Sequence, residues 1–296
     1  MRSVRVPAFA KVNLCLHVLA KRPDGFHELR TVFQAISLHD TLTISWMRRP
    51  GIVIETDDPA LPTGRENLVW RAVDALRREF GIRSGVGVEL AKRIPVGRGL
   101  GGGSSDAAAA LVGLLRLTRK KLPTARLVEI AASLGADVSF FLFGGRALGV
   151  SRGNEIYPLP DLPARAVVVV SPRDIAVSTR EAYGWVSRRL TNRSPAHKLW
   201  SFCALCWSPQ GADVANDFEA PVFQRHPRLA RLKRRLLERG AVEAALAGSG
   251  SAVFGVFRSP AQARRAAQGF PREQVFVCET LSREAYRRAH RGRGGF

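Results

Sequence analysis

The chain has 296 residues, with 46 Lys and Arg against 25 Asp and Glu, a formal charge of +21. Hydrophobic residues make up 46% and charged residues 24%, a globular composition that excludes a disordered chain despite the charge. No run of 18 apolar residues occurs, which excludes a membrane-spanning helix.

Residues 4–18 alternate around Pro7 and predict a strand. Lys21-Arg-Pro-Asp-Gly25 is a turn or hairpin signal. Strands follow at 38–46 and 51–56. Apolar residues at helical spacing from Leu68 to Phe80 predict a helix over 67–80, with Gly81 as its C-cap. Residues 86–90 alternate as a strand. A glycine-rich loop at 97–103 precedes helices at 104–117 and 124–134. Pro158, Pro160 and Pro163 mark the best candidate boundary, dividing the chain into 1–160 and 161–296. Beyond it the pattern predicts a buried strand at 164–170, helices at 179–190 and 226–239, and a strand at 252–257. A helix at 260–268 and a strand at 274–278, edge or central, complete the order, and 291–295 read as frayed. Two mixed helix-and-strand halves fit this order.

Four cysteines are present. Cys15 and Cys278 sit in apolar runs, and Cys203 and Cys206 form a lone C-x-x-C. With no second pair to complete a zinc site, the expectation is a buried helical pair. The apolar run 7–20 is interrupted by Lys11, Asn13 and His17, unlike an export signal, so a cytoplasmic location is expected.

Four segments carry chemistry. The strongest is IPVGRGLGGGSSDAAAA at 94–110, where five glycines fall within seven residues and two serines open an alanine-rich helix. Glycines let a backbone wrap a polyphosphate with its N–H groups turned inward, and the helix adds its N-terminal partial charge. The loop is not a Walker A motif, since no GK[ST] ends it. Gly248-Ser-Gly-Ser251 alone is a turn signal. Lys11 and Asn13 alternate along one strand and so face the same side. Asp137 lies among apolar neighbours, as either a capping residue or a partly buried general base.

Taken together these segments resemble the GHMP kinase superfamily. The resemblance rests on the glycine loop, on Ala10-Lys-Val-Asn-Leu-x-Leu-x-Val18, on Lys21-Arg-x-Asp-Gly-Phe-His-Glu-Leu29, and on Gly135-Ala-Asp-Val138, Asn216-Asp-Phe-Glu219 and Gly248-Ser-Gly-Ser251. The Asp24-Gly-Phe-His27 segment points within it to the branch whose acceptor is a cytidyl diphosphate sugar alcohol of non-mevalonate isoprenoid synthesis. Three positions depart from the family pattern: Arg98 for a small residue, Ser139 for a Pro, and Leu246-Ala247 for Met and Ser or Thr.

The resemblance implies an α+β fold of two domains, the first ribosomal-protein-like and the second ferredoxin-like, with the site in the cleft between them. It implies ATP and Mg²⁺ as cofactors, Asp137 as the base and Lys11 beside it. It assigns ATP to Pro95, Val96, Gly97, Arg98, Gly99 and Leu100, then Gly101, Gly102, Gly103, Ser104 and Ser105, with Asn67 nearby and Ser105 towards Mg²⁺. It assigns the acceptor to Asn13, Phe26, His27, Tyr183, Gly248, Ser249 and Gly250. The rivals are another small-molecule kinase of the superfamily, or an RNA-binding protein of related fold. Against the second, seven basic residues are Lys and 39 are Arg, an imbalance that reads as a solvated, Arg-coated surface. Small-molecule partners are therefore expected, with no membrane and no specific nucleic acid.

Overall fold

A computed structural model describes residues 2–188, 202–203 and 215–291. Its spine is a long antiparallel hairpin of β1 (Ser3–Lys21) and β2 (His27–Met47). The strand β3 (Ile52–Thr56) crosses through helix α1 (Leu68–Phe80) to pair in parallel with β4 (Gly85–Ala91), which pairs with β2. Helices α2 (Gly102–Thr118), α3 (Thr124–Leu134) and α4 (Val138–Phe143) follow. Then β5 (Arg146–Ser151) pairs with the other half of β2, and β6 (Glu155–Pro158) with β5. The helices cover one face of this sheet, packing Leu76, Leu111 and Leu114 against Val6, Ile44 and Val88.

The second sheet is antiparallel. It has β7 (Ala166–Ser171) and β10 (Val253–Phe257) at its centre, with β9 (Glu243–Leu246) and β11 (Gln274–Glu279) at its edges. Between β7 and β9 lie α5 (Thr179–Ser187), the two-residue β8 (Ala215–Asn216), α6 (Glu219–Arg225) and α7 (Pro227–Glu238). The helix α8 (Pro260–Ala267) joins β10 to β11. Strand–helix–strand–strand–helix–strand in this spatial order is the ferredoxin-like arrangement that the resemblance implied.

The two sheets are one packed body. Ala10, Val12, Ile36 and Leu38 of the hairpin meet Val167, Val169 and Phe254 of the second sheet. The strand β8 pairs with β1, and α9 (Arg283–Arg291) returns to the first sheet, where Tyr286 enters its core.

Several expectations change. The second strand begins not at 38 but at His27, so that residues 27–37, unassigned from the sequence, are the first half of β2. From Thr31 to Ile36 every residue is buried, because helices cover one face and the second sheet the other, so the alternation that signals a strand is erased. The strand at 274–278 is an edge. Cys203 is exposed rather than buried, and Cys206 lies outside the described residues, as do 189–190 and 292–295.

Candidate active site

A cavity of about 1250 Å³ opens where the hairpin, the glycine loop and the second unit meet. Lys11 and Asn13 enter it from β1, both buried. The Lys11 Nζ donates to Asn13 Oδ1 at 2.8 Å and lies 3.4 Å from Asp137 Oδ2. Asn13 Nδ2 donates in turn to Thr31 Oγ1 at 2.7 Å, and Thr31 to the Cys15 carbonyl at 2.7 Å. The whole chain of donors is thus fixed from the hairpin backbone. Thr31 gave no signal in the sequence, since an isolated Thr in an unassigned segment has none.

Asp137 stands just before α4, and its side chain makes no capping bond to that helix. The capping alternative therefore fails. Its carboxylate is 32% exposed, so it faces both a buried ammonium and the cavity. That arrangement suits a base that must be held in place and yet reach a substrate. The helix behind it is held by the Tyr286 hydroxyl, which donates to the Phe141 carbonyl at 2.7 Å.

The glycine loop lies directly beside Lys11, whose backbone N–H donates to the Leu100 carbonyl at 3.0 Å. Gly97, Gly99 and Gly101 have φ of +70°, +80° and +74°, a region that a side chain disfavours. Two of the loop's contacts also exclude a Cβ: one on Gly99 would sit 1.8 Å from the Ala247 carbonyl oxygen, and one on Gly250 would sit 2.2 Å from the Gly99 nitrogen. The Gly248-Ser-Gly-Ser251 segment therefore braces the loop from behind. Gly248 and Ser249 line the cavity, whereas Gly250 is spent on the loop's backbone. The loop ends as α2 begins at Gly102, two residues before the expected start, and its N-terminus opens into the cavity.

The two serines separate. Ser104 lines the cavity. Ser105 does not; it is buried, and its hydroxyl has no hydrogen-bond partner. Asp106 does line the cavity, together with Lys92. Lys92 Nζ binds Asp40 Oδ2 at 2.5 Å and Asp106 Oδ2 at 2.7 Å, while Asp40 Oδ1 accepts the Arg93 and Ile94 N–H groups. Burial pushes the Asp106 carboxyl up, and the neighbouring Asp40 adds to it, with Lys92 opposing. This clasp joins the two ends of the glycine loop. The sequence offered no sign of it beyond the residue types.

Asn67 is a helix cap. Its Oδ1 accepts the Val69 N–H at 2.8 Å and its Nδ2 donates to the Pro62 carbonyl at 2.6 Å, so both ends of the amide are committed, though the residue borders the cavity.

At the far end of the cavity the hairpin turn presents Phe26 and His27. Asp24 Oδ1 accepts the Phe26 N–H, and Gly25 takes φ of +84° to close the turn. Phe26 is 54% exposed, with Arg152 over its ring. His27 stacks on Tyr183 with ring centroids 4.9 Å apart. That spacing leaves no room for a third ring between them, so Tyr183 backs His27 rather than facing it across a ligand. Ser187 Oγ gives its only proton to the Tyr183 carbonyl, so His27 Nε2 must donate to Ser187 Oγ, which leaves Nδ1 as an acceptor. Burial, with Lys21 adding to it, holds the His27 pKa below the usual histidine value.

The Asn216-Asp-Phe-Glu219 segment joins the two units, and its Phe218 borders the cavity. Asn216 donates to the Leu246 and Gly248 carbonyls, Asp217 accepts the Val18 N–H, and Phe218 packs edge-on against Tyr183. His17, beside Asp217, is buried; His39 and His226 contact Phe9 and Trp185.

A carboxylate and an ammonium beside a glycine loop and a helix N-terminus, in the cleft between these two units, have the arrangement of a small-molecule phosphotransferase. Family models agree. The GHMP kinases N terminal domain matches residues 67–145 and the GHMP kinases C terminal matches residues 200–275. A 4-diphosphocytidyl-2-C-methyl-D-erythritol kinase of Solibacter usitatus is 46% identical over 291 residues, 97% of this chain and 91% of the relative. Another from Geobacter metallireducens is 40% identical over 272 residues, 90% of this chain and 94% of the relative. A crystal structure of 4-(cytidine 5'-diphospho)-2C-methyl-D-erythritol kinase matches with a TM-score of 0.78 and 35% identity, covering 94% of this chain and 99% of that one. The chain therefore belongs to the 4-diphosphocytidyl-2-C-methyl-D-erythritol kinase family of the GHMP kinases, and is an ATP-dependent kinase. Homoserine and mevalonate kinases share the fold at 19% and 16% identity. Among the described residues no helix is long and apolar enough to cross a membrane.

Proposed function

We propose that the chain transfers the γ-phosphoryl group of ATP to the 2-hydroxyl of 4-diphosphocytidyl-2-C-methyl-D-erythritol, a step of non-mevalonate isoprenoid precursor synthesis. The observation that carries this reading is the shared cavity. The Lys11–Asp137 pair lies between the glycine loop and the Phe26–His27 turn, so one cleft offers a phosphate cradle, a base and an aromatic base-binding end.

In the reaction Asp137 takes the proton of the acceptor hydroxyl as its oxygen attacks the γ-phosphorus. The bond from that phosphorus to the ADP oxygen breaks, and ADP leaves with its electron pair. Lys11 pairs with Asp137 and lies close enough to stabilise the developing alkoxide. Asn13 fixes the ammonium on one side and borders the cavity where the acceptor would lie. The loop N–H groups and the N-terminus of α2 bind the β- and γ-phosphates, leaving Ser104 as the hydroxyl nearest to them. Mg²⁺, when bound with ATP, supplies charge neutralisation. The donors that fit it are Ser104 and Asp106, whose Oδ1 is buried without a partner in the cavity wall, rather than Ser105.

Phe26 offers a ring face to cytosine. The acceptor nitrogen of His27 complements the exocyclic amine, which is the base's hydrogen-bond donor. The depressed His27 pKa keeps that acceptor available at neutral pH. An ATP-coupled assay with the cytidyl acceptor, mevalonate and homoserine tests the reading. Turnover confined to the cytidyl compound supports it, and turnover with either of the others in its place contradicts it.

A further inference from the structure

Arg98 occupies a loop position where a small residue is usual and borders the cavity, yet its guanidinium is bonded to the second unit. Its Nη1 donates to Ser251 Oγ at 2.8 Å and its Nη2 to the Arg173 carbonyl at 3.0 Å. Both acceptors belong to the second unit. Ser251 is fully buried, and its own hydroxyl proton goes to the Ile175 carbonyl at 2.6 Å, so it stands fixed as an acceptor. The backbone repeats the connection, because the Arg98 carbonyl accepts the Ala252 N–H at 3.3 Å. Gly99 and Gly250 close the same seam by direct backbone contact.

We propose that Arg98 is a positioning residue that fastens the phosphate loop to the second unit through Ser251 and the Arg173 carbonyl, and so sets nucleotide affinity without touching phosphate. A loop with three positive-φ glycines has more backbone freedom to lose than an ordinary one, and that loss weakens ligand binding unless it is met before the ligand arrives. The planar fork of arginine spans two acceptors that a single ammonium cannot span with the same geometry. This separates fastening from charge. A phosphate-contacting cation is largely replaced by lysine, whereas a fork is not.

The inference rests on ATP occupying the glycine loop. The test is therefore direct binding of a fluorescent ATP analogue to the full chain without acceptor, so that it is independent of the acceptor's identity. Arg98→Met is expected to weaken binding on the order of tenfold, and Arg98→Lys to weaken it nearly as much. Ser251→Ala is expected to share the effect, with the double variant no worse than Arg98→Met alone. In steady state KM for ATP should rise by more than kcat falls, and KM for the acceptor should stay near wild type. Thermal unfolding checks that each variant folds, and Arg98→Lys keeps the test alive should Arg98→Met fail to. Wild-type affinity in Arg98→Lys, full additivity with Ser251→Ala, or a fall in kcat larger than the rise in KM overturns the proposal. If the wild-type chain itself does not bind the analogue, it is the kinase reading that fails.

Discussion

Replacing Asp137 with Asn separates chemistry from structure better than any other change in the cleft. The side chain keeps its shape but loses its affinity for a proton. At 3.4 Å, and with an effective dielectric constant of about 20, the ion pair with Lys11 has a gross Coulomb energy of about 5 kcal/mol. Most of that is offset by the cost of burying Lys11, and the amide oxygen of Asn can still accept from the ammonium. Lys11 also keeps Asn13 Oδ1 at 2.8 Å, so the ammonium loses its counter-ion but not its hydrogen-bond acceptor. The expected stability loss is about 1 kcal/mol, or roughly 2 °C in Tm for a chain of this size. The expected loss in kcat is far larger, about 10²–10⁴-fold, the usual range for removing a general base. A coupled assay for ADP release gives kcat, and differential scanning fluorimetry gives Tm. The reasoning is refuted if kcat stays within about threefold of wild type. It is also refuted if activity disappears only in step with a collapse of Tm, since Asp137 would then be holding the fold.

Other outcomes follow from the same contacts. Gly99→Ala places a methyl 1.8 Å from a carbonyl oxygen at positive φ, so it should lower Tm and abolish ATP binding, whereas Gly97→Ala, whose Cβ has open space, should cost only its backbone strain. Comparable ATP affinity in the two variants contradicts the bracing contact. Phe26→Ala and His27→Ala should raise KM for the cytidyl acceptor about tenfold each and leave KM for ATP unchanged, as measured by varying one substrate at a time. Equal effects on both would place the nucleobase elsewhere. Burial and Arg116 hold His290 below the usual histidine pKa, with the Tyr286 carbonyl opposing. The unfolded chain therefore takes up a proton near the ordinary value that the folded one resists. Stability from this group is present above the ordinary histidine pKa and is lost as the pH falls below it. His290→Leu should reduce the acid-side fall in Tm between about pH 7 and 5, and an unaltered profile refutes the assignment.

Much of the site was legible because its residue types and spacings are forced by chemistry. A backbone that wraps phosphate needs glycine, and the loop at 97–103 carries positive φ at three of them. Lys11 and Asn13, two apart on a strand, do face one side and touch. Where the sequence was silent, burial had removed the signal. Strand β2 shows no alternation from Thr31 to Ile36 because both of its faces are covered, and Thr31, which orients Asn13, was lost with it. The Lys92 clasp is assembled from β2, the end of β4 and α2, and such long-range groupings leave no local pattern. Tyr183 was found, but its partner is His27, a pairing that depends on how α5 docks on the hairpin turn. Arg98 stood out only as a departure, and its meaning became visible with Ser251 and the Arg173 carbonyl in place.

The proposed function requires one cleft to join a phosphate cradle, the Lys11–Asp137 pair and a cytidyl-binding turn. Phosphorus NMR of the products formed from ATP and 4-diphosphocytidyl-2-C-methyl-D-erythritol tests it most directly. ADP and a new phosphomonoester signal on the tertiary carbon oxygen are expected, with the acceptor's diphosphate intact and the signal absent in Asp137→Asn. A phosphomonoester formed at full rate by Asp137→Asn, or ATP consumption that leaves the cytidyl compound unchanged, would contradict it.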